Sequence, residues 1–513
     1  MKTKAYRNLL KVLGQYIWVI PVLLVSCQTS TSKKADQLES MNRIEKDREQ
    51  SQTRLFNALV VRGIELHAKG FHDEAIRAFD KAIGMNPESS MSYNNRGSVY
   101  AKKGEYGEAI EDLTKAIKLD PNYAEAYANR GGVYIQKAEF ELAMSDFNRA
   151  IALHPNFAGA YAKRGLLYAE LRKHDIAIRD CNIAISLDPN CAEAYEYRAI
   201  PYIHMARYDA AIRECDKAIQ LNPKGAYPYN NRAVAHLKKG HHDLAIRDCN
   251  KAIELDPKFA MAYSNRGIIY SELDRHDDAM REYTKAIELD PNYAGAYVNR
   301  GLAYRQKGQY SEALLDCHKA IELNPYLPDA YDGRGTVYSA LGRYDSAIND
   351  FTKAIELDPH DSEAYGNRGN AYSHRGQHRS AILDYTKGIE LNPTNSQLYD
   401  CRGLTYVDMG QLDLAITDFT KSIQLDPASA EAYANRGGTY LFKKEEDSAL
   451  VDFNKAIELD PKIARAYNGR ALIYLIKGED EKARDNAKKC RELGGTVEPS
   501  VLEAIKKMFG EQL

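Results

Sequence analysis

A proline stands every 34 residues along most of this chain, at 87, 121, 155, 189, 223, 257, 291, 325, 359, 393, 427 and 461, and one further step lands on Gly495. A fixed period of this length means an array of like units. Each unit is too small to bury its apolar face alone, so the chain must fold by stacking neighbour on neighbour. With Phe56 as repeat position 1 and Pro87 as position 32, thirteen units fill residues 56–497.

The invariant positions say what each unit is. Position 4 is Tyr in twelve consecutive units (Tyr93 to Tyr467), and position 8 is Gly or Ala throughout. Position 11 is Tyr in all units but the first (Leu66) and the sixth (His236), and position 20 is Ala in all thirteen. Spacings of 4, 7, 8 and 11 mark one face of a first helix, and positions 20, 24 and 27 mark one face of a second. Gly70, Gly104, Gly240, Gly308 and Gly410 fall between the two, where a helix end takes a left-handed residue. The proline stops the second helix, because it has no N–H and crowds the turn before it. Large and small residues are complementary, and the tyrosines at 4 and 11 are expected to fill the space left by the small residue at 8 and the alanine at 20. Cys181, Cys215, Cys249 and Cys317 occupy position 24, where other units carry Phe147, Phe351 or Phe453, and read as small core hydrophobes.

These residues resemble the tetratricopeptide repeat (TPR) family over residues 56–497. The resemblance implies an all-α fold, a right-handed superhelical solenoid of about thirteen helix-turn-helix repeats. Its concave groove is lined by positions 2, 5, 6, 9, 12 and 13 of the first helices. Residues 498–513, with Val501, Ile505 and Met508 on one face, are expected to form a C-terminal capping helix. One departure from the family is systematic: position 7 is Arg in all thirteen units, and position 23 is Asp or Glu in units two to twelve. The one-to-one acids predict a ladder of Arg–carboxylate bridges between the two helices of each unit, with an Arg-lined groove for an acidic ligand as the competing reading.

By the same resemblance, the candidate binding residues are the asparagines at position 6: Asn95, Asn129, Asn231, Asn265, Asn299, Asn367 and Asn435. In family members that grip peptides, Asn here bonds the peptide main chain or terminal carboxylate. An amide both donates and accepts, so a bond within the array is equally open. Position 9 is apolar in five consecutive units, at Leu166, Ile200, Val234, Ile268 and Leu302. This stripe suits a partner helix or extended peptide, or packing between adjacent units. The basic residues that clamp a terminal carboxylate are represented only by Lys163 and Arg465, too far apart in the chain to act together. Pro201 lies inside a first helix, removes a bond to Tyr197 and is expected to kink it.

Residues 1–26 read as an export signal: a basic segment (Lys2 to Lys11), an apolar run of ten residues (Tyr16 to Val25), then Leu24-Val25-Ser26-Cys27. The run is too short to span a bilayer comfortably. The last four residues resemble a bacterial lipobox, which implies cleavage before Cys27 and its acylation, and Gln28 rather than Asp resembles the outer-membrane-sorted class. Residues 27–55 would then be a lipid-anchored polar tether, its Ser/Thr/Lys part flexible and a polar helix possible from about Asp36. The basic residues Lys2, Lys4, Arg7 and Lys11 lie in the signal, so the remainder carries about −6 against −2 for the whole chain. That balance argues against nucleic acid, which needs a basic stripe.

No phosphate loop, metalloprotease motif or nucleophile elbow is present. The cysteines show no metal spacing or disulfide framework. His236, His241 and His242, with His374 and His378, sit at polar turns without a full ligand set. No enzyme activity, cofactor or metal is expected. The sequence reads as a non-enzymatic, membrane-tethered scaffold or adaptor. It would bind partner peptides or helices in its groove to assemble a complex of the bacterial cell envelope, held at the outer membrane and facing the periplasm. The alternatives are an accessory subunit of an envelope or glycan-processing enzyme, and a small-ligand or metal binder.

Overall fold

The computed structural model describes residues 27–510, and every regular element among them is a helix. The helices pair as the period demands. In the third hairpin, for example, Ala124–Gln136 (the A helix) is followed by Phe140–Leu153 (the B helix). The described residues divide into two compact bodies, one ending at Asp256 and the other beginning at Pro257. The N-terminal body holds the A helices through hairpin 6 (Ala226–Lys238), and the C-terminal body begins with the A helix of hairpin 7 (Ala260–Glu272). Within each, every A helix packs on its own B helix and on the A helix of the next hairpin.

The A-to-B turn needs a left-handed residue at position 15 in every hairpin. Eight hairpins place glycine there, among them Gly104 (φ 81°). Ala138, Arg172, Ala206, Asp274 and Lys444 adopt the same conformation at φ 55–60°, at a cost of about 1 kcal/mol each for a residue with a Cβ.

The Arg–carboxylate ladder is present. Arg130 Nε and Nη2 donate to the two carboxylate oxygens of Asp146 at 2.8 and 2.9 Å. The same fork joins Arg96 to Asp112, Arg368 to Asp384 and each other position-23 aspartate through Asp452, whereas Arg198 gives Nε and Nη2 to one oxygen of Glu214 and Arg266 gives Nη2 to both oxygens of Glu282. In the last hairpin Arg470 Nε donates to Asn486 Oδ1 at 2.7 Å instead. The free arm of the guanidinium has a second task that the sequence pattern did not announce. In hairpins 2 to 6 and 10 to 13 it reaches back to position 25 of the preceding B helix: Arg96 Nη1 to Asp80 (2.6 Å), Arg130 to Thr114 (2.9 Å), Arg164 to Asn148 (2.7 Å), Arg402 to Thr386 (2.9 Å). Each guanidinium from Arg96 to Arg470 also lies 5.4–5.8 Å from the ring of the position-4 tyrosine, a favourable cation–π distance.

Packing corrects one expectation. The space over the small residue at position 8 is filled by position 24, not by the tyrosines. A Cβ built on Gly131 would stand 2.8 Å from the Phe147 ring, and one on Gly335 2.7 Å from the Phe351 ring. Where position 8 is alanine, position 24 is small: Ala199 with Cys215, Ala233 with Cys249, Ala471 with Ala487. Cys215 and Cys249 are therefore the small partners in a two-residue volume match, whereas Cys181 and Cys317 lie over glycines, Gly165 and Gly301. All of the described cysteines from Cys181 onward are free thiols, and burial pushes Cys181 up to about 12, so it stays protonated.

Two further differences concern the ends. The stretch expected to be a flexible tether belongs to one 42-residue helix, Cys27–Ala68. It has no Gly or Pro before Gly63 and is rich in Glu, Lys, Arg and Gln, which propagate a helix well. The export signal expected at 1–26 lies outside the described residues. At the other end, helix Pro499–Phe509 buries Val501 and Ile505 against Ala471, Ala487, Cys490 and Val497. Its first turn is pinned where the Glu498 N–H donates to Asn468 Oδ1 at 2.8 Å. Met508 remains 42% exposed and is not part of the buried face.

The volume match can be tested in hairpin 9. Gly335→Ala is expected to destabilise by about 1–2 kcal/mol through overpacking, and Phe351→Cys by about 3 kcal/mol through lost burial. Their combination recreates the native Ala199–Cys215 pair. It should be less destabilised than the sum of the single changes by at least about 1 kcal/mol in urea titrations followed by circular dichroism.

Candidate functional site

The asparagine row is split by the structure. Three of its members are consumed inside the array, each bonding position 5 of the preceding hairpin. Asn129 Nδ2 donates to Asn94 Oδ1 (3.0 Å) and Ser98 Oγ (3.2 Å), Asn299 Nδ2 to Ser264 Oγ (3.0 Å), and Asn367 Nδ2 to Asp332 Oδ1 (3.0 Å). Asn265 is half-buried. The side-chain amides of Asn95, Asn231 and Asn435 are half-buried and make no hydrogen bond with another described residue, so they keep both donor and acceptor capacity.

The apolar stripe is also divided. Leu166, Ile200 and Val234 belong to the N-terminal body, Ile268 and Leu302 to the C-terminal one, and all five are half-buried. Ile268 packs against Ala279, Tyr283 and Ala303, and Leu302 against Val298, Ala320 and Ala330. These two therefore spend much of their surface on contacts between neighbouring helices. Pro201 is buried in helix Ala192–His204, which runs through it to His204. Cys27 begins the first described helix.

The N-terminal body gathers polar groups that the sequence row did not single out. A hydrogen-bonded chain runs along the A helices of hairpins 2, 3 and 4. Lys163 Nζ donates to Asn129 Oδ1 (2.9 Å), Asn129 donates to Asn94, and Asn94 Nδ2 donates to Tyr123 Oη (3.4 Å). Burial holds the Lys163 ammonium below the usual lysine value. Opposite stand Glu196 of hairpin 5 and Tyr227 of hairpin 6, and Lys102 of hairpin 2 places its ammonium 5.9 Å from the centre of the Tyr227 ring. Lys102 and Tyr227 are 125 residues apart. Their meeting means that the A helices of hairpins 2 to 6 surround a shared channel. Burial first, then the neighbouring Glu193, pushes Glu196 up to about 8, with Lys102 pulling the other way. The signal available in the sequence was the departure from the repeat: position 5 is Ala, Asn, Ser or Val in most hairpins but Glu in the fifth.

In the C-terminal body, position 5 again carries acids. Burial, with Asp361, Asp329 and Glu363 nearby, pushes Asp332 up to about 7 against the pull of its bond from Asn367. Burial pushes Asp400 up to about 6; it accepts a bond from Ser422 Oγ (2.9 Å). Arg465 pairs with Glu431 and lies near enough to Asp400 to lower its value. The turn histidines are packed on rings, His236 on His241 and His374 stacked on Tyr344. Among the described residues no group of three or more His, Cys, Asp or Glu is placed to hold a metal ion.

Asp332 supplies a pH test. Its folded value lies above the usual 3.8, so the folded state binds its proton more tightly than the unfolded chain does. The stabilisation is complete below about pH 4 and is lost as pH rises through about 7. Asp332→Asn copies the native Asn94–Asn129 pair. It is expected to raise stability by roughly 1–2 kcal/mol at pH 8, after allowance for solvent screening of a part-exposed group, and to change it little at pH 4. Urea titrations at the two pH values measure the difference.

Comparison with known proteins agrees with this architecture. Family models described as tetratricopeptide repeat match residues 226–259, 260–293, 294–327 and 362–395, 78–111, 384–417 and 453–485, 124–157 and 430–463, and 162–226. One described as TPR repeat matches 97–137, 335–374 and 403–444. No curated protein matches the chain by sequence. Among solved structures, the Cut9–Hcn1 hetero-tetramer of the APC/C is similar at TM-score 0.56 and 17% identity, over 88% of this chain and 96% of that one. Yeast Tom70 is similar at TM-score 0.40 and 18% identity, over 81% and 99%. YrrB, described as a TPR protein with an unusual peptide-binding site, is 29% identical over 36% of this chain and 95% of its own, at TM-score 0.31. The likeness to Cut9 shows the fold, and the repeat matches show the family: this chain belongs to the tetratricopeptide repeat proteins.

Proposed function

We propose that the chain is a non-enzymatic scaffold that holds protein partners along the inner faces of its A helices. The observation that carries this is the walled channel of the N-terminal body. The free amides of Asn95 and Asn231 are main-chain-binding groups of the kind an extended peptide needs. They lie on the A helices of hairpins 2 and 6, the same two hairpins that Lys102 and Tyr227 bring together across the channel. Among the described residues, only the part of the first helix before Phe56 and the C-terminal segment after the last hairpin lie outside the hairpins. In this reading the partner is a protein of the bacterial envelope.

Membrane attachment belongs to the same proposal. No helix among the described residues is long and apolar enough to cross a membrane. The Leu24-Val25-Ser26-Cys27 sequence supports anchoring through acyl chains on Cys27, at the outer membrane and facing the periplasm. Two outcomes test the reading. Cys27→Ser is expected to move the protein from the membrane pellet to the soluble fraction; retention in the pellet would sink the anchor. Full-length protein cross-linked in envelope extracts should capture discrete partners that an Asn95→Arg/Asn231→Arg variant of unchanged thermal stability fails to capture. Equal capture by both would count against the channel.

A further inference from the structure

The charges around the N-terminal channel do not match up within the chain. Glu196 is half-buried among the A helices and receives no hydrogen bond from any described residue. The groups facing it are Glu193 and Tyr197 from its own helix, Tyr227 from the next hairpin and Lys102 from across the channel. Lys163, one helix back, spends a bond on Asn129 and feels Glu193. Tyr227 keeps 45% of its surface exposed, with Glu196, Asp256 and Tyr106 as its charged and phenolic neighbours. An aromatic face beside a carboxylate is a place for a cation. Among the described residues the cation there is Lys102, whose exposed side chain arrives from four hairpins away, stops 5.9 Å from the ring centre and makes no ion pair with another described residue.

We propose that Glu196 and the Tyr227 ring form a receptor for a lysine or arginine side chain of a partner peptide, and that Lys102 is the chain's own occupant of that place. The partner's cation displaces Lys102, gains the carboxylate that Lys102 does not reach, and lays its neighbouring main chain towards the free amides of Asn95 and Asn231. The site selects for a basic residue, the opposite polarity from a terminal-carboxylate clamp. It rests on the reading of the A helices as a partner-binding wall and adds which residue that wall selects.

The test uses the full chain and fluorescein-labelled heptapeptides, blocked at both ends, of glycine and alanine with one central lysine, arginine, norleucine or glutamate. Binding is read by fluorescence anisotropy at fixed ionic strength. The lysine and arginine peptides are expected to bind at least tenfold more tightly than the norleucine peptide, and Glu196→Gln, close in shape to the native residue, should abolish that preference. Lys102→Met keeps the stem and removes the charge, and should tighten the lysine peptide at least threefold. Lys118→Met removes the same charge from the B helix of hairpin 2 and should change binding less than twofold. Because Glu196 titrates near 8, the preference for lysine should grow from pH 6.5 to pH 9 and lose that slope in Glu196→Gln. Equal binding of lysine and norleucine peptides overturns the receptor. Weaker or unchanged binding by Lys102→Met, or equal tightening by Lys118→Met, overturns the role of Lys102. If envelope partners are still captured through the channel while the peptides bind alike, the scaffold reading stands and the cation site falls; if capture fails too, both fall.

Discussion

The guanidinium at position 7 is the interaction on which the rest of the array depends. It sits between two tyrosines of its own A helix, closes a two-pronged bond on the carboxylate of its own B helix, and sends its remaining arm to the B helix before it. One side chain thus fixes both the angle within a hairpin and the placement of that hairpin on its neighbour. The acid is almost fully buried, at 5% exposure for Asp112 and Asp146. Burial pushes Asp112 up despite its bond, while that same bond holds Arg96 above its ordinary value. A buried pair of this kind adds little net stability over an apolar pair of equal volume. Removing one partner strands the other, at a cost of about 3–5 kcal/mol. The ladder therefore specifies geometry more than it supplies energy, and the energy comes from position 24 over position 8, with the alanines at position 20 allowing close approach.

The parts that were legible in the sequence were those set by the period. The hairpins, the left-handed turn residue and the Arg–Asp pairing all follow from position within the repeat, so thirteen copies report the same rule. What escaped was of two kinds. The backward arm of arginine ends on Asp80, Thr114 or Asn148, residues alike only in being able to accept a bond, so position 25 shows no conserved letter to notice. The size of the tyrosines suggests that they fill the space, whereas the small residue at position 8 is covered from the other helix.

The channel escaped for a different reason. Lys102 and Tyr227 meet because small rotations between successive hairpins accumulate, and no local pattern encodes their sum. Asn129 illustrates the same limit from the other side: its letter matches Asn95 and Asn231, yet Asn94 and Lys163 occupy it and leave those two free. Whether an amide is a binding group or a strut is decided by the residue one hairpin away. The candidate site is thus written in the exceptions to the repeat, at Glu196, Tyr227 and Lys102, and the fold is written in its rules.

The position-7 arginine bonds sixteen residues forward and sixteen residues back along the chain. Insertion or deletion of one whole 34-residue unit leaves every forward bond intact, because both partners lie in one unit, and gives the backward arm the position-25 residue of a new neighbour. Array length is therefore free to change by gene duplication or loss without breaking the scaffold's internal connections. The channel has no such freedom, since one hairpin gained or lost between Lys102 and Tyr227 would carry the two apart. The number of hairpins outside that interval does not bear on this meeting, while the spacing of four hairpins inside it is what brings Lys102 to Tyr227.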